Sequence, residues 1–186
     1  MQRDLVVRAS AGDHAAFSAL AATAIGGLYR VAHLILRDPE RANDAVQDAL
    51  IGAWRDIRAL RDPDRFDAWL HRLTVRACYR VAQKERRRSV FEVELMDTQD
   101  TPSVDDNLRL LAVRDQLERG FIRLSTEERA VLVLHYFLDL PLAEAADILG
   151  IPLGTMKSRL SRATQALRSA LDALERASAL STGGIA

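Results

Sequence analysis

Residues 141–171 read PLAEAADILGIPLGTMKSRLSRATQALRSAL, and the fold of the chain turns on how this stretch divides at Gly150. The first part, 142–149, is short, with Ala145, Ala146, Ile148 and Leu149 as its apolar set. Pro141 suits a helix opening, because the N–H it lacks would find no intrahelical partner there. Gly150 supplies the permissive backbone for a sharp exit. Beyond Pro152, the residues Met156, Leu160, Ala163, Leu167, Ala170 and Leu174 recur at alternating spacings of four and three, which makes one buried stripe. The opposite face carries Thr155, Lys157, Ser158, Arg159, Ser161, Arg162 and Gln165, with no acid between Asp147 and Asp172. A short helix, a glycine turn and a basic, hydroxyl-rich second helix describe a helix-turn-helix. In that motif the second helix lies in the DNA major groove and its N-terminal residues meet base edges. A helical hairpin whose cations merely face water is the plain competitor; the placement of the glycine and the cluster TMKSRLSRA favour DNA.

The composition of the whole chain argues the other way. Its 186 residues carry 26 Lys and Arg against 26 Asp and Glu, a net charge of zero that would not by itself mark a nucleic-acid binder. The charge is segregated, however. Residues 72–88 hold Arg72, Arg76, Arg80, Lys84, Arg86, Arg87 and Arg88 against Glu85 alone, whereas 92–106 hold only acids. Apolar residues make up 48%, enough for ordinary cores, and the abundance of Ala and Leu over Gly and Pro favours helix. A single cysteine, Cys78, rules out an internal disulfide and reads as core. The four histidines are scattered without the spacing of a zinc site, so no metal or cofactor is expected. No signal peptide opens the chain, and the uncharged stretch 15–29 falls short of the roughly 20 apolar residues a membrane span needs. A soluble, cytoplasmic protein without membrane insertion is expected.

The chain is therefore predicted to be all-α: two small helical domains joined by an acidic linker, the second ending in the helix-turn-helix. The boundaries are 1–89, a flexible acidic linker over 90–107, 108–176, and a frayed tail over 177–186. A short lead-in ends at Gly12. Asp13 then caps a helix with Phe17, Leu20, Ala24, Leu28, Val31 and Ile35 inward. Gly26 and Gly27 weaken its middle, and close packing of another helix is the simplest reason for them. The tetrapeptide Leu-Arg-Asp-Pro occurs at 36–39 and 60–63, each time offering an Asp cap followed by Pro. The helix after the first repeat buries Ala42, Ala45, Val46, Ala49, Ala53, Trp54 and Ile57, and shows Asn43, Asp44, Gln47 and Asp48. The helix after the second buries Phe66, Trp69, Leu70, Leu73, Ala77 and Val81, and shows Arg72, Arg76, Arg80, Lys84 and Arg88. Cations at such intervals repel one another and favour a polyanionic partner. Further on, a helix from about 107 runs through Leu110, Leu111, Val113, Leu117 and Phe121. Ser125-Thr126-Glu127-Glu128 is a capping box opening the next, whose face is Ala130, Val131, Leu134, Phe137 and Leu138.

These strings together resemble a known family. Phe17-x-x-Leu20, the segment 34–38, Asp44-Ala45-Val46-Gln47-Asp48, Ala53-Trp54-Arg55, Phe66-x-Ala68-Trp69-Leu70 and all of 124–171 occur in the order and spacing of the extracytoplasmic-function sigma factors of bacteria, a branch of the sigma-70 family. The resemblance implies a transcription initiation factor that binds core RNA polymerase and directs it to particular promoters. It implies that Asp44, Gln47 and Asp48, with Trp54 behind them, dock the clamp coiled coil of the largest polymerase subunit. The 58–65 loop, with Arg61 and Arg65, would receive a base flipped from the −10 element, and Arg72, Arg76, Tyr79 and Arg80 would hold the non-template strand. Thr155, Lys157, Ser158, Arg159 and Arg162 would read the −35 element. An anti-sigma factor is a further partner implied in the same way. The acidic linker would imitate nucleic acid inside the polymerase channel; folding back on the basic helix is the other use of its charge. At Arg76 and Arg80 the chain departs from the Asn and the acid or amide that many members carry, and Met156 stands at a usual Val position.

Two other readings remain at this point. A stand-alone helix-turn-helix regulator would bind duplex operators without polymerase, usually as a two-fold dimer. An enzyme acting on nucleic acid would want convergent carboxylates; Glu40, Asp44 and Asp48 have helical spacing, but the docking face explains them better, and no enzymatic activity is expected.

Overall fold

The computed structural model describes residues 1–89 and 117–182, and for 86–89, 174, 175 and 177–182 the backbone course alone. The described residues are helical, with no strand among them. The chain divides into two compact units, Met1–Glu94 and Leu95–Ala186. The acidic linker expected over 90–107 and the first turns of the helix expected from 107 lie outside the described residues.

The first unit is built from α1 (Gln2–Ser10), α2 (His14–Leu36), α3 (Pro39–Asp56) and α4 (Phe66–Ser89). Gly12 takes φ +100°, a conformation that favours glycine, and turns the chain so that Asp13 accepts a hydrogen bond from Ala16 N at 3.0 Å. α2 ends at Arg37 in the left-handed region (φ 56°), and Asp38 immediately caps α3 through Arg41 N, with Pro39 in its first turn. The second Leu-Arg-Asp-Pro repeat works through a short 3-10 turn: Asp62 Oδ1 accepts from Asp64 N at 3.0 Å, and Pro63–Arg65 lead into α4. A matching 3-10 turn, Ile57–Ala59, closes α3, so two tight turns bracket the intervening loop.

α2 is the centre of this unit and packs against α1, α3 and α4. Leu20, Leu28, Val31 and Ile35 are buried, whereas Phe17 and Ala24 are half-buried. The whole helix is long and apolar enough, by length and composition, to cross a membrane, and its buried residues face the other helices of the unit. Two expectations need correction. Nothing lies within 4 Å of where a Cβ at Gly26 would stand, and at Gly27 only His71 Nε2 does, at 4.0 Å, so close helix packing does not account for this pair. On α4 the buried stripe is Phe66, Leu70, Thr74, Val75, Ala77 and Cys78, while Trp69, Leu73 and Val81 are half-buried. The stripe is turned toward 74 and 75 because α4 is wedged between α2 and α3 and buries more than one edge. Thr74 tolerates this because its hydroxyl donates to Leu70 O at 3.0 Å.

The second unit comprises a helical segment at 117–122 (α5), α6 (Thr126–Leu132), a π-turn (Val133–Phe137), α7 (Leu142–Leu149) and α8 (Leu153–Thr182). The capping box is complete: Ser125 N donates to Glu128 Oε2 at 2.8 Å, and Glu128 N donates to Ser125 Oγ at 3.3 Å. All of 130–134 is buried, but Tyr136 and Phe137 are exposed and Leu138 is half-buried. The wider π-turn rotates Phe137 off the face that a continuous α-helix would have given it. α5 lies close on α8, since a Cβ at Gly120 would stand 2.9 Å from Leu167 Cδ1. The backbone of α8 continues to Thr182. No Gly or Pro follows Gly154 until Gly183, so nothing local stops the helix earlier.

Candidate nucleic-acid interface and docking face

The helix-turn-helix forms as its sequence dictates. Pro141 is the residue before the helix proper rather than its first turn (φ −56°, ψ 144°), and α7 ends at Gly150 with φ 64°. Ile151 N then bonds to Ala146 O at 3.1 Å, closing the turn between the two helices. Ala145, Ala146 and Ile148 of α7 and Met156, Ala163 and Ala170 of α8 are buried, and the two helices pack on each other. The usual valine's replacement by Met156 is accommodated, for this side chain is fully buried.

Burying that stripe turns the other side of α8 outward. At about 100° per residue, Thr155, Ser158, Arg159 and Arg162 share one face, and Lys157 stands about 100° further round the helix, beyond Ser158. Lys157, Ser158 and Arg162 are exposed, and Thr155 and Arg159 half-buried. Ser158 Oγ donates to Thr155 O at 3.0 Å, and Arg162 Nε to Ser158 O at 3.3 Å, so both are held against the helix backbone. No acid occupies the first turn of α8, where the helix dipole already favours an anion.

In the first unit Arg76, Arg80 and Lys84 are exposed along α4, and Arg72 and Tyr79 are half-buried; the side chain of Arg88 lies outside the described residues. Arg61 and Arg65 are exposed on the 58–65 loop, with Arg65 Nε 4.0 Å from Asp62 Oδ2. Glu85, the acid beside the basic row, pairs with Arg41 of α3, which also bonds Asp38 at 3.1 Å. Sequence reasoning missed Arg41; its spacing from Asp38 was visible, but its reach to Glu85 depends on the packing of α3 against α4. Arg41 ties Glu85 of α4 to α3.

Asp44, Gln47 and Asp48 are exposed together on α3, with Asn43 beside them. Trp54 has another environment: it is half-buried, its ring centroid 4.1 Å from that of His14 and 5.1 Å from that of Phe17. It fastens the end of α3 to the start of α2. In its place the exposed face is extended by Ile51 and, from α2, Ile25, respectively 60% and 49% exposed. With Gly26, Tyr29, Val46 and Gln47 these isoleucines line an open groove of about 570 Å³. Large apolar side chains stand exposed here beside carboxylates, and exposed apolar patches rimmed by polar residues mark interaction sites. Their exposure was hidden in the sequence, where Ile51 looks like any core residue.

Cys78 is fully buried, and burial pushes its thiol up to about 12, which leaves it protonated and inert. Among the described residues no group of three or more His, Cys, Asp or Glu side chains is placed to hold a metal ion.

Comparison with known proteins matches both units. Sigma-70 region 2 matches residues 21–88, and Sigma-70 region 4 matches residues 114–175. The ECF RNA polymerase sigma factor SigM of Mycobacterium tuberculosis is 32% identical over 160 residues, covering 86% of this chain and 79% of SigM. The sigma factor RpoE of Bartonella quintana, solved with the anti-sigma factor NepR, superposes with a TM-score of 0.64 at 25% identity, over 84% of this chain and 96% of RpoE. CnrH, solved with the cytosolic domain of CnrY, gives a TM-score of 0.58 at 28% identity, over 92% of this chain and 97% of CnrH. The chain belongs to the sigma-70 family, in its extracytoplasmic-function branch. Its role is that of a promoter-directing sigma factor of RNA polymerase, and the stand-alone regulator is not favoured. Sigma factors are initiation factors and not catalytic enzymes in themselves.

Proposed function

We propose that the two units divide promoter recognition between them. The exposed face of α8, through Thr155, Lys157, Ser158, Arg159 and Arg162, reads the −35 element in the major groove, where Arg, Lys and Ser pair with base edges. α4 and the loop before it, through Arg61, Arg65, Arg72, Arg76, Tyr79 and Arg80, capture the −10 strand once it is unpaired. A cationic surface with an aromatic ring suits a single strand, because the backbone needs charge and the bases need a flat surface. Asp44, Gln47 and Asp48 dock the clamp coiled coil of the largest subunit of core RNA polymerase, and Ile51 and Ile25 add an apolar edge to that contact. Trp54 serves this face indirectly, by holding α3 on α2.

The observation that carries this reading is the order of the two matches: region 2 falls on the unit with the exposed carboxylates and the basic helix, and region 4 on the helix-turn-helix. An anti-sigma factor is proposed as a further partner, since both solved relatives named above are complexes, one explicitly with an anti-sigma factor. The chain is proposed to act in the cytoplasm, where polymerase meets the chromosome, and to perform no covalent chemistry itself. Asp48→Arg tests the docking assignment: binding to core polymerase should fall while the melting temperature stays within a degree or two, as for most exposed substitutions. Undiminished core binding would move the docking face elsewhere.

A further inference from the structure

Helix α1 carries none of the residues assigned to DNA or polymerase, yet one of its faces is given over to the segment before α4. Val6 and Ala9, each 1% exposed, key the helix into the core. On the same side Gln2 Nε2 donates to Asp67 Oδ1 at 2.7 Å, Arg3 Nη1 donates to Asp64 Oδ2 at 2.9 Å, and Ser10 Oγ, which donates to Val6 O at 2.9 Å, stands 3.5 Å from Ile57 O. These contacts fall at the first 3-10 turn, at the second, and at the opening turn of α4, so α1 spans both ends of the loop that bears Arg61 and Arg65. Arg58, at the start of that loop, has its guanidinium 3.6 Å from where a Cβ at Gly12 would stand. The Arg3–Asp64 pair is 67% and 60% exposed, and pairs that open to water add little to the stability of a fold. Gln2 and Arg3 both reach the second end of the loop, and the packing of α1 against Ile57–Ala59 covers the first, so the helix touches the loop at both ends.

We propose that α1 braces the 58–65 loop, with Gln2 and Arg3 as positioning residues that set how selectively the loop accepts an unpaired base. The proposal rests on the reading of this loop as the −10 contact. A loop closed at both ends by its own 3-10 turns still has freedom in the distance between them, and a pocket for one base needs that distance fixed. The brace supplies the constraint from outside the loop, which leaves Arg61 and Arg65 clear to meet DNA.

The test uses full-length variants assembled with core RNA polymerase and offered a single-stranded DNA pool randomised over the −10 window, with the bound strands sequenced. Arg3→Glu is expected to lower base enrichment at the most selective position by about three- to fivefold, with core binding and melting temperature as in the unaltered protein. Combining Arg3→Glu with Asp64→Lys restores the pair in reverse and should recover the enrichment. Unchanged enrichment in Arg3→Glu, where Arg61→Ala or Arg65→Ala flattens it, overturns the brace and keeps the loop reading. Enrichment indifferent to all four substitutions overturns the loop reading and the brace with it. A loss that follows a fall in melting temperature and is not recovered by the reversed pair marks a folding effect, and likewise overturns the brace.

Discussion

Gly26 sits in the middle of α2 with nothing near the position of a Cβ. Helix propensity there is unopposed, so Gly26→Ala should raise stability by about 0.5–1 kcal/mol, read as a shift in the denaturation midpoint. Gly150 is the opposite case. Its φ of 64° is one that a side chain adopts only under strain, and Gly150→Ala should cost about 1–2 kcal/mol although the space is open. At Cys78 burial and the raised pKa agree, so alkylation by iodoacetamide should proceed only as fast as the first unit unfolds. Rapid modification of the folded protein would contradict the core packing of α4. On α8, Arg159→Ala or Arg162→Ala should each remove about 1–3 kcal/mol of −35 discrimination if the side chain meets a base edge. A phosphate contact, the role expected of Lys157 because it stands away from that face, would instead weaken all duplexes alike and lower the salt slope by about 1.

At the scale of elements, what was legible in the sequence was what local chemistry decides. Asp13, Asp38 and Ser125 each cap a helix because a short acceptor side chain reaches a nearby backbone N–H, whatever the rest of the chain does. Ser125→Ala should accordingly destabilise the second unit by about 1 kcal/mol and leave the first unchanged, as separate melting of the two units would show. The Asp13 carboxyl is held below the usual carboxylate range, first by the hydrogen bond from Ala16 N and then by that from Arg8. A lowered folded-state pKa stabilises above the unfolded value, and the contribution disappears as pH falls through the folded value. Acidification below the ordinary carboxylate range should therefore loosen the α1–α2 corner, and Asp13→Asn should blunt that dependence. What escaped the sequence was set by packing between elements. The stripe of α4 turns toward Thr74 and Val75 because two helices flank it, and Phe137 faces outward because a π-turn shifts the register. The aromatic neighbours of Trp54, which stands behind the exposed carboxylates, come from a helix some forty residues earlier in the chain.

The candidate site shows the same division across the whole molecule. The helix-turn-helix was readable because one stripe of α8 fixes both its buried side and its exposed, cationic side; the groove edged by Ile25 and Ile51 was not, because it exists only where α2 and α3 meet. A net charge of zero conceals two basic surfaces, one in each unit, and a protein of this kind should bind DNA weakly until polymerase brings both surfaces to one promoter. The central claim is that promoter choice resides in this chain. Its most direct test adds the purified protein to sigma-free core RNA polymerase and genomic fragments, then maps the 5′ ends of the transcripts. The account predicts discrete new start sites that share two upstream elements and are absent without the protein. Tight binding of the protein alone to duplex DNA, with no polymerase association and no new starts, would contradict it.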